Sequence, residues 1–181
     1  SAHMTAPSYM PILAFPRPWT GSTRGKISGS PVLAFISTKA DMEKYRGKLK
    51  GAIVFLKEPR PVHPNFNAPA KRLDDKGLKE LEDTPIPVRP ATPGGPKPEG
   101  DLRWEELEEF FKAEEVGVLV EPSSESRSDF GTVRVDAYEG NGKDFITRGQ
   151  SPRIIMAAEQ YNRICRILEL KVPVSLEIEV R

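Results

Sequence analysis

Cysteine is almost missing from these 181 residues: Cys165 stands alone, which excludes an intrachain disulfide. Histidine is nearly as scarce. His3 and His63 are too few for a histidine-rich zinc site, and they leave a Ser-His-Asp relay little to build on. A charge excess of either sign is also absent. Lys plus Arg total 27 and Asp plus Glu 26, a net charge of +1, so the electrostatic footprint of a nucleic-acid binder is lacking. No apolar run approaches the roughly 18 residues that a membrane span needs, and the first residues carry no apolar signal core. The length suits one domain with its own core, without metal or disulfide staples.

Proline, by contrast, is abundant: 18 residues, about twice the usual share. The prolines gather before residue 19, between 59 and 69, and between 85 and 98. Each fixes φ and removes a backbone donor, so these stretches are expected to run extended over the surface. Residues 1–20 therefore read as an extended N-terminal arm, with residues 21–181 as one domain. The first four residues, Ser-Ala-His-Met, read equally as native sequence or as an expression remnant. Tyr9, Phe15 and Trp19 are large apolar groups set among the arm's prolines, which keep them out of a central strand. They need a cover, so they are the candidate docking residues for an adjacent domain. Residues 57–100 read as a long insertion, helical only around Leu73–Leu81. Stretches of that length without structure are usually functional, and a lid is one such use.

Apolar periodicity places the remaining elements. Pro31–Ile36 and Ala52–Leu56 read as buried strands. A short helix, Asp41–Arg46 with Asp41 as its cap, and a glycine turn lie between them. Asp101–Glu115 reads as a helix. Its stripe is Trp104, Leu107, Phe110 and Phe111, and Glu105, Glu106, Glu108 and Glu109 are expected on a solvated face. Strands follow at Val116–Val120, Gly131–Ala137 and Arg153–Met156. A helix is expected over Ala158–Leu170, and a strand over Val172–Val180, where apolar and polar residues alternate. The class is α+β.

Few residues offer chemistry. His63, in a proline-rich loop, reads as an exposed histidine rather than a ligand, because a metal site needs several ligands at suitable spacing. Cys165 lies on an apolar helix face, where a thiol behaves as a small hydrophobe. The Gly21–Lys26 segment departs from a phosphate-binding loop: three residues separate its glycines, and Ile27 follows Lys26. Asp129, Asp136 and Glu139 lack calcium-loop spacing. Ser123–Ser128 reads as a hydrophilic connector. No catalytic, cofactor-binding or metal-binding residue is assigned.

Several segments taken in order resemble the protease-associated domain, the non-catalytic insert of many secreted peptidases. They are Asp41–Leu56, Leu107–Val120 with Pro122, Gly131–Val135, Ser151–Ile164 and Val172–Ile178. Tyr9–Thr20 resembles the lead-in of bacterial zinc exopeptidases of the aminopeptidase and glutamate-carboxypeptidase type. The resemblance implies an open, barrel-like mixed sheet flanked by short helices. It also implies secretion or a periplasmic location, and zinc held by the catalytic domain of a larger parent. The partners it implies are that catalytic domain and peptide substrate. The function it implies is to shape substrate access or mediate contacts between domains. The departures are the 57–100 insertion and an end directly after the last strand, which reads as an excised domain. Two other functions stand beside it: a stand-alone hydrolase using carboxylates of the insertion, and a general protein-interaction module.

Overall fold

The computed structural model describes residues 1–18, 20–62, 68, 70, 72–85, 102–123 and 150–181. Short runs rich in aliphatic side chains lie side by side as parallel strands β5 (Val32–Leu33), β6 (Ile53–Phe55), β7 (Val118–Pro122) and β8 (Arg153–Met156). Strand β3 (Ala14–Pro16) closes the far edge antiparallel to β8, giving the order β3-β8-β7-β6-β5. β6, β7 and β8 are buried along their whole length, as expected of parallel strands covered on both faces.

The two faces carry two cores. Ile53, Phe55, Val118, Val120, Ile154 and Met156 belong to the core that also holds Tyr161, Ile164 and Cys165 of helix α4 (Ala158–Glu169). The alternate residues Val54, Leu56 and Leu119 pack with Phe110 and Phe111 of helix α3 (Trp104–Ala113). Helix α1 (Lys39–Tyr45) joins β5 to β6. Its N-cap is Thr38 rather than Asp41. The Thr38 hydroxyl accepts from the Asp41 N–H, and the Asp41 carboxylate accepts from the Thr38 N–H at 3.1 Å. Asp41 thus serves as the reciprocal partner of a capping box.

A second, antiparallel sheet has the order β2-β1-β9-β4, from β2 (Met10–Pro11), β1 (Ala2–Ala6), β9 (Ser175–Ile178) and β4 (Ile27–Gly29). Met4, Leu176 and Ile178 point from it into the first core. Both sheets are open among the described residues, and the fold is α+β. The first sixteen residues are extended, yet they are woven into both sheets instead of lying over the surface. Proline explains the distribution: proline-free Ala2–Ala6 enters the sheet interior, whereas Pro11 and Pro16 sit on edge strands, where a missing donor costs no ladder bond.

The chain divides into two compact units, residues 1–64 with 102–181, and residues 65–101. In the smaller unit, helix α2 (Asp75–Glu82) is capped by Asp74, whose side chain accepts from the Gly77 N–H at 2.8 Å. The strand expected at Gly131–Ala137 lies outside the described residues, as do Asp101, Trp19 and His63.

Candidate functional site

The stripe of α3 lays Phe110 and Phe111 on the sheet and leaves Trp104 and Leu107 half-buried at the helix's first turns. Glu108, one turn beyond Trp104, does not join the solvated face expected of it. It is 5% exposed. Its Oε1 accepts from the Ser151 N–H at 2.6 Å, and its Oε2 lies 3.6 Å from Arg153 Nη2. A lone carboxylate in an apolar setting would be costly, so the correction has a physical cause: a backbone N–H just before β8 and the charge of Arg153 at its start meet it there.

Arg153 stands in register with Leu119 on β7, on the face turned toward α3. Its guanidinium carbon lies 3.8 Å from the Trp104 ring centroid, a cation–π stack. Two residues beyond Leu119, on the same face, Glu121 completes the cluster. Glu121 Oε1 is 3.4 Å from Arg153 Nη1. Its Oε2 is 2.6 Å from Arg17 Nη1 and 3.7 Å from Lys57 Nζ. Glu108, Arg153, Glu121 and Arg17 thus alternate in sign, each carboxylate facing at least one guanidinium. Burial lowers the Arg153 pKa to about 10, with repulsion from Arg17 adding to it and the attraction of Glu121 and Glu108 opposing it. The group stays charged at neutral pH.

Beside this cluster the carboxyl ends of β5, β6 and β7 open a cleft of about 350 Å³. Phe35, Ile36, Leu56, Trp104 and Leu107 form its apolar walls, and Lys57 and Glu121 its polar end. Open α/β sheets hold ligands in this position, beyond the carboxyl ends of parallel strands. The segment that leaves the cleft is anchored. The Tyr161 hydroxyl donates to the Lys57 carbonyl and accepts from the Lys57 N–H at 3.2 Å. Asn162 Nδ2 donates to the Arg60 carbonyl at 2.6 Å, and Arg60 Nε donates to the Ser123 carbonyl. Tyr161 is fully buried and stacked on Phe55, and burial pushes its hydroxyl pKa well above the usual range.

A carboxylate already paired with an arginine is poorly placed to move a proton or to ligate a metal. Among the described residues, no group of three or more His, Cys, Asp or Glu could hold a metal ion. Cys165 is fully buried, and burial pushes its thiol up to about 12, with Glu169 adding to it. His3 Nδ1 is 3.1 Å from the Tyr9 hydroxyl, and the two rings stack. Tyr9 is 68% exposed and Phe15, on edge strand β3, 44%. His63, Asp129, Asp136 and Glu139 lie outside the described residues, as do residues 124–128 of the hydrophilic connector.

The sequence reading missed Arg17, Glu108, Glu121 and Arg153. A signal was present for two of them. Arg153 opens the run Arg-Ile-Ile-Met and Glu121 follows Val-Leu-Val, and an isolated charge joined to a buried strand demands a partner of opposite sign.

No family model matches this sequence, and no curated protein matches it. Solved structures do. A peptidase M28 precursor from Shewanella amazonensis superposes at a TM-score of 0.52 with 12% identity, over 99% of this chain and 33% of the peptidase chain. An aminopeptidase from Aneurinibacillus sp. strain AM-1 gives 0.48 with 6% identity, over 99% and 29%. The chain spans about a third of the length of the solved peptidases it resembles.

Proposed function

We propose that this chain is a non-catalytic accessory module of a larger zinc metallopeptidase, of the protease-associated kind, acting at the entrance to a separate catalytic domain. The observation that carries this reading is the fold shared, along nearly the whole chain, with one third of an M28 peptidase precursor. The ion cluster supports it, because Glu108 and Glu121 are engaged by Arg153 and Arg17 rather than poised for catalysis. Tyr9 and Phe15 support it as well: two large apolar side chains stand uncovered on the same N-terminal segment that carries Trp19 in the sequence. In this reading all three dock on the catalytic domain of the same polypeptide. The cleft lined by Trp104 and Leu107 takes an apolar side chain of a peptide substrate, zinc is held by the catalytic domain, and the parent is secreted or periplasmic.

The test is hydrolysis by the purified chain. Free and N-blocked peptides of graded length, with and without added zinc, are followed by mass spectrometry. No cleavage is expected under either condition. Zinc-dependent turnover that co-purifies with the chain would overturn the reading in favour of a stand-alone hydrolase.

A further inference from the structure

Another cleft, of about 590 Å³, opens at the amino ends of β6, β7 and β8, the end of the sheet away from Trp104. Its walls are four chain segments brought close by missing side chains. A Cβ on Gly117 would stand 2.6 Å from the Gly51 carbonyl oxygen and 2.8 Å from Ile27 Cδ1, and one on Gly21 would stand 2.6 Å from the Gln150 carbonyl oxygen. The loop carrying Arg24 is fastened on both flanks, after it by the pairing of Ile27 with Ile178 and before it by Gly21 and Thr23. The Gly21 N–H donates to the Gln150 carbonyl at 3.0 Å. The Thr23 N–H donates to the Val180 carbonyl at 3.0 Å, and the Val180 N–H returns a bond to the Thr23 hydroxyl at 2.9 Å.

Among the described residues, three cations line this cleft, Arg24, Lys50 and Lys112, against one acid, Glu115. That acid shows what the cleft accepts. Glu115 Oε2 lies 2.5 Å from Lys50 Nζ. The ammonium of Lys50 and, more weakly, the charge of Arg24 hold its carboxyl below the ordinary carboxylate range. Glu115 follows α3 at φ +53°, a backbone region where glycine or asparagine is usual, so a carboxylate stands here despite a conformational cost. The helix's negative end does not dominate the site. The carbonyls of Phe110, Phe111 and Lys112 accept from the N–H groups of Glu114, Val116 and Glu115.

We propose that this cleft binds an acidic peptide segment. Arg24, Lys50 and Lys112 take its carboxylates, and Glu115 occupies one of those positions in the free protein. Ile27, Val116 and Pro152 give the cleft an apolar floor suited to the methylene stems of Asp and Glu, which an inorganic anion lacks. The proposal does not depend on the accessory-module reading.

Fluorescence anisotropy of a labelled hexaglutamate peptide on the full chain tests it. Saturable binding that weakens with salt is expected. Arg24→Ala and Lys112→Ala should each weaken it about two- to fivefold, in keeping with exposed ion pairs. Glu115→Gln should tighten it by a similar factor, because the internal competitor loses its charge. On the wild-type chain, hexaglutamate should shift the amide resonances of Gly21, Gly51 and Gly117. The proposal fails if binding does not saturate, if both alanine variants bind as the wild type does, or if the shifts fall elsewhere. It also fails if inorganic phosphate or oligothymidylate competes as well as unlabelled hexaglutamate.

Discussion

Replacing Arg153 with Met tests the buried ion cluster directly. Methionine keeps an unbranched apolar stem and removes the guanidinium, with its charge, its donors and its stack on Trp104. At an effective dielectric near 20, the separations of 3.4 Å to Glu121 and 3.6 Å to Glu108 each correspond to about 5 kcal/mol of attraction. Desolvation of the three groups offsets most of this in the wild type. In the variant the carboxylates remain buried without the compensating cation, and such truncations cost about 3–5 kcal/mol. Glu121 keeps Arg17 at 2.6 Å, so the loss falls mainly on Glu108, whose Oε2 makes no hydrogen bond among the described residues. Urea unfolding followed by tryptophan fluorescence measures it. With a slope of about 2 kcal/mol/M, the midpoint should fall by about 1.5–2.5 M at unchanged slope. The double variant Arg153→Met/Glu108→Gln should recover at least about 1 kcal/mol, because a neutral amide still accepts from Ser151 without stranding a charge. A loss below about 1 kcal/mol at unchanged slope, or no recovery in the double variant, would refute the reasoning.

Cys165, fully buried with its thiol pushed up to about 12, should resist Ellman's reagent at pH 8 in the native chain and react at once in denaturant; rapid native labelling would show the site opening. Gly117→Ala should lose more than about 2 kcal/mol in the same urea assay, since its Cβ meets the Gly51 carbonyl, and two backbone segments must part to admit it. A near-neutral result would mean that the two segments do not make this close approach.

The periodicity of the sequence determined most of the elements by itself. Arg153–Met156 is the strand expected, and the helix expected over Ala158–Leu170 runs Ala158–Glu169. Side chains that alternate or recur every three to four residues declare which face will be buried whatever that face meets. The inert character of Cys165 was legible for the same reason. Boundaries were less so: Pro31–Ile36 shortens to Val32–Leu33 because its neighbour β6 offers only three residues for pairing. Only the tertiary structure decided what residues 1–16 do. An extended, proline-rich segment looks alike in sequence whether it crosses a surface or pairs at a sheet edge, and its partners β8 and β9 lie some 140 or more residues away along the chain. Glu108 is the same case in electrostatic form. Its place on a helix face was readable from the sequence, but the charge that makes its burial tolerable comes from Arg153, 45 positions later, and only folding puts the two within reach.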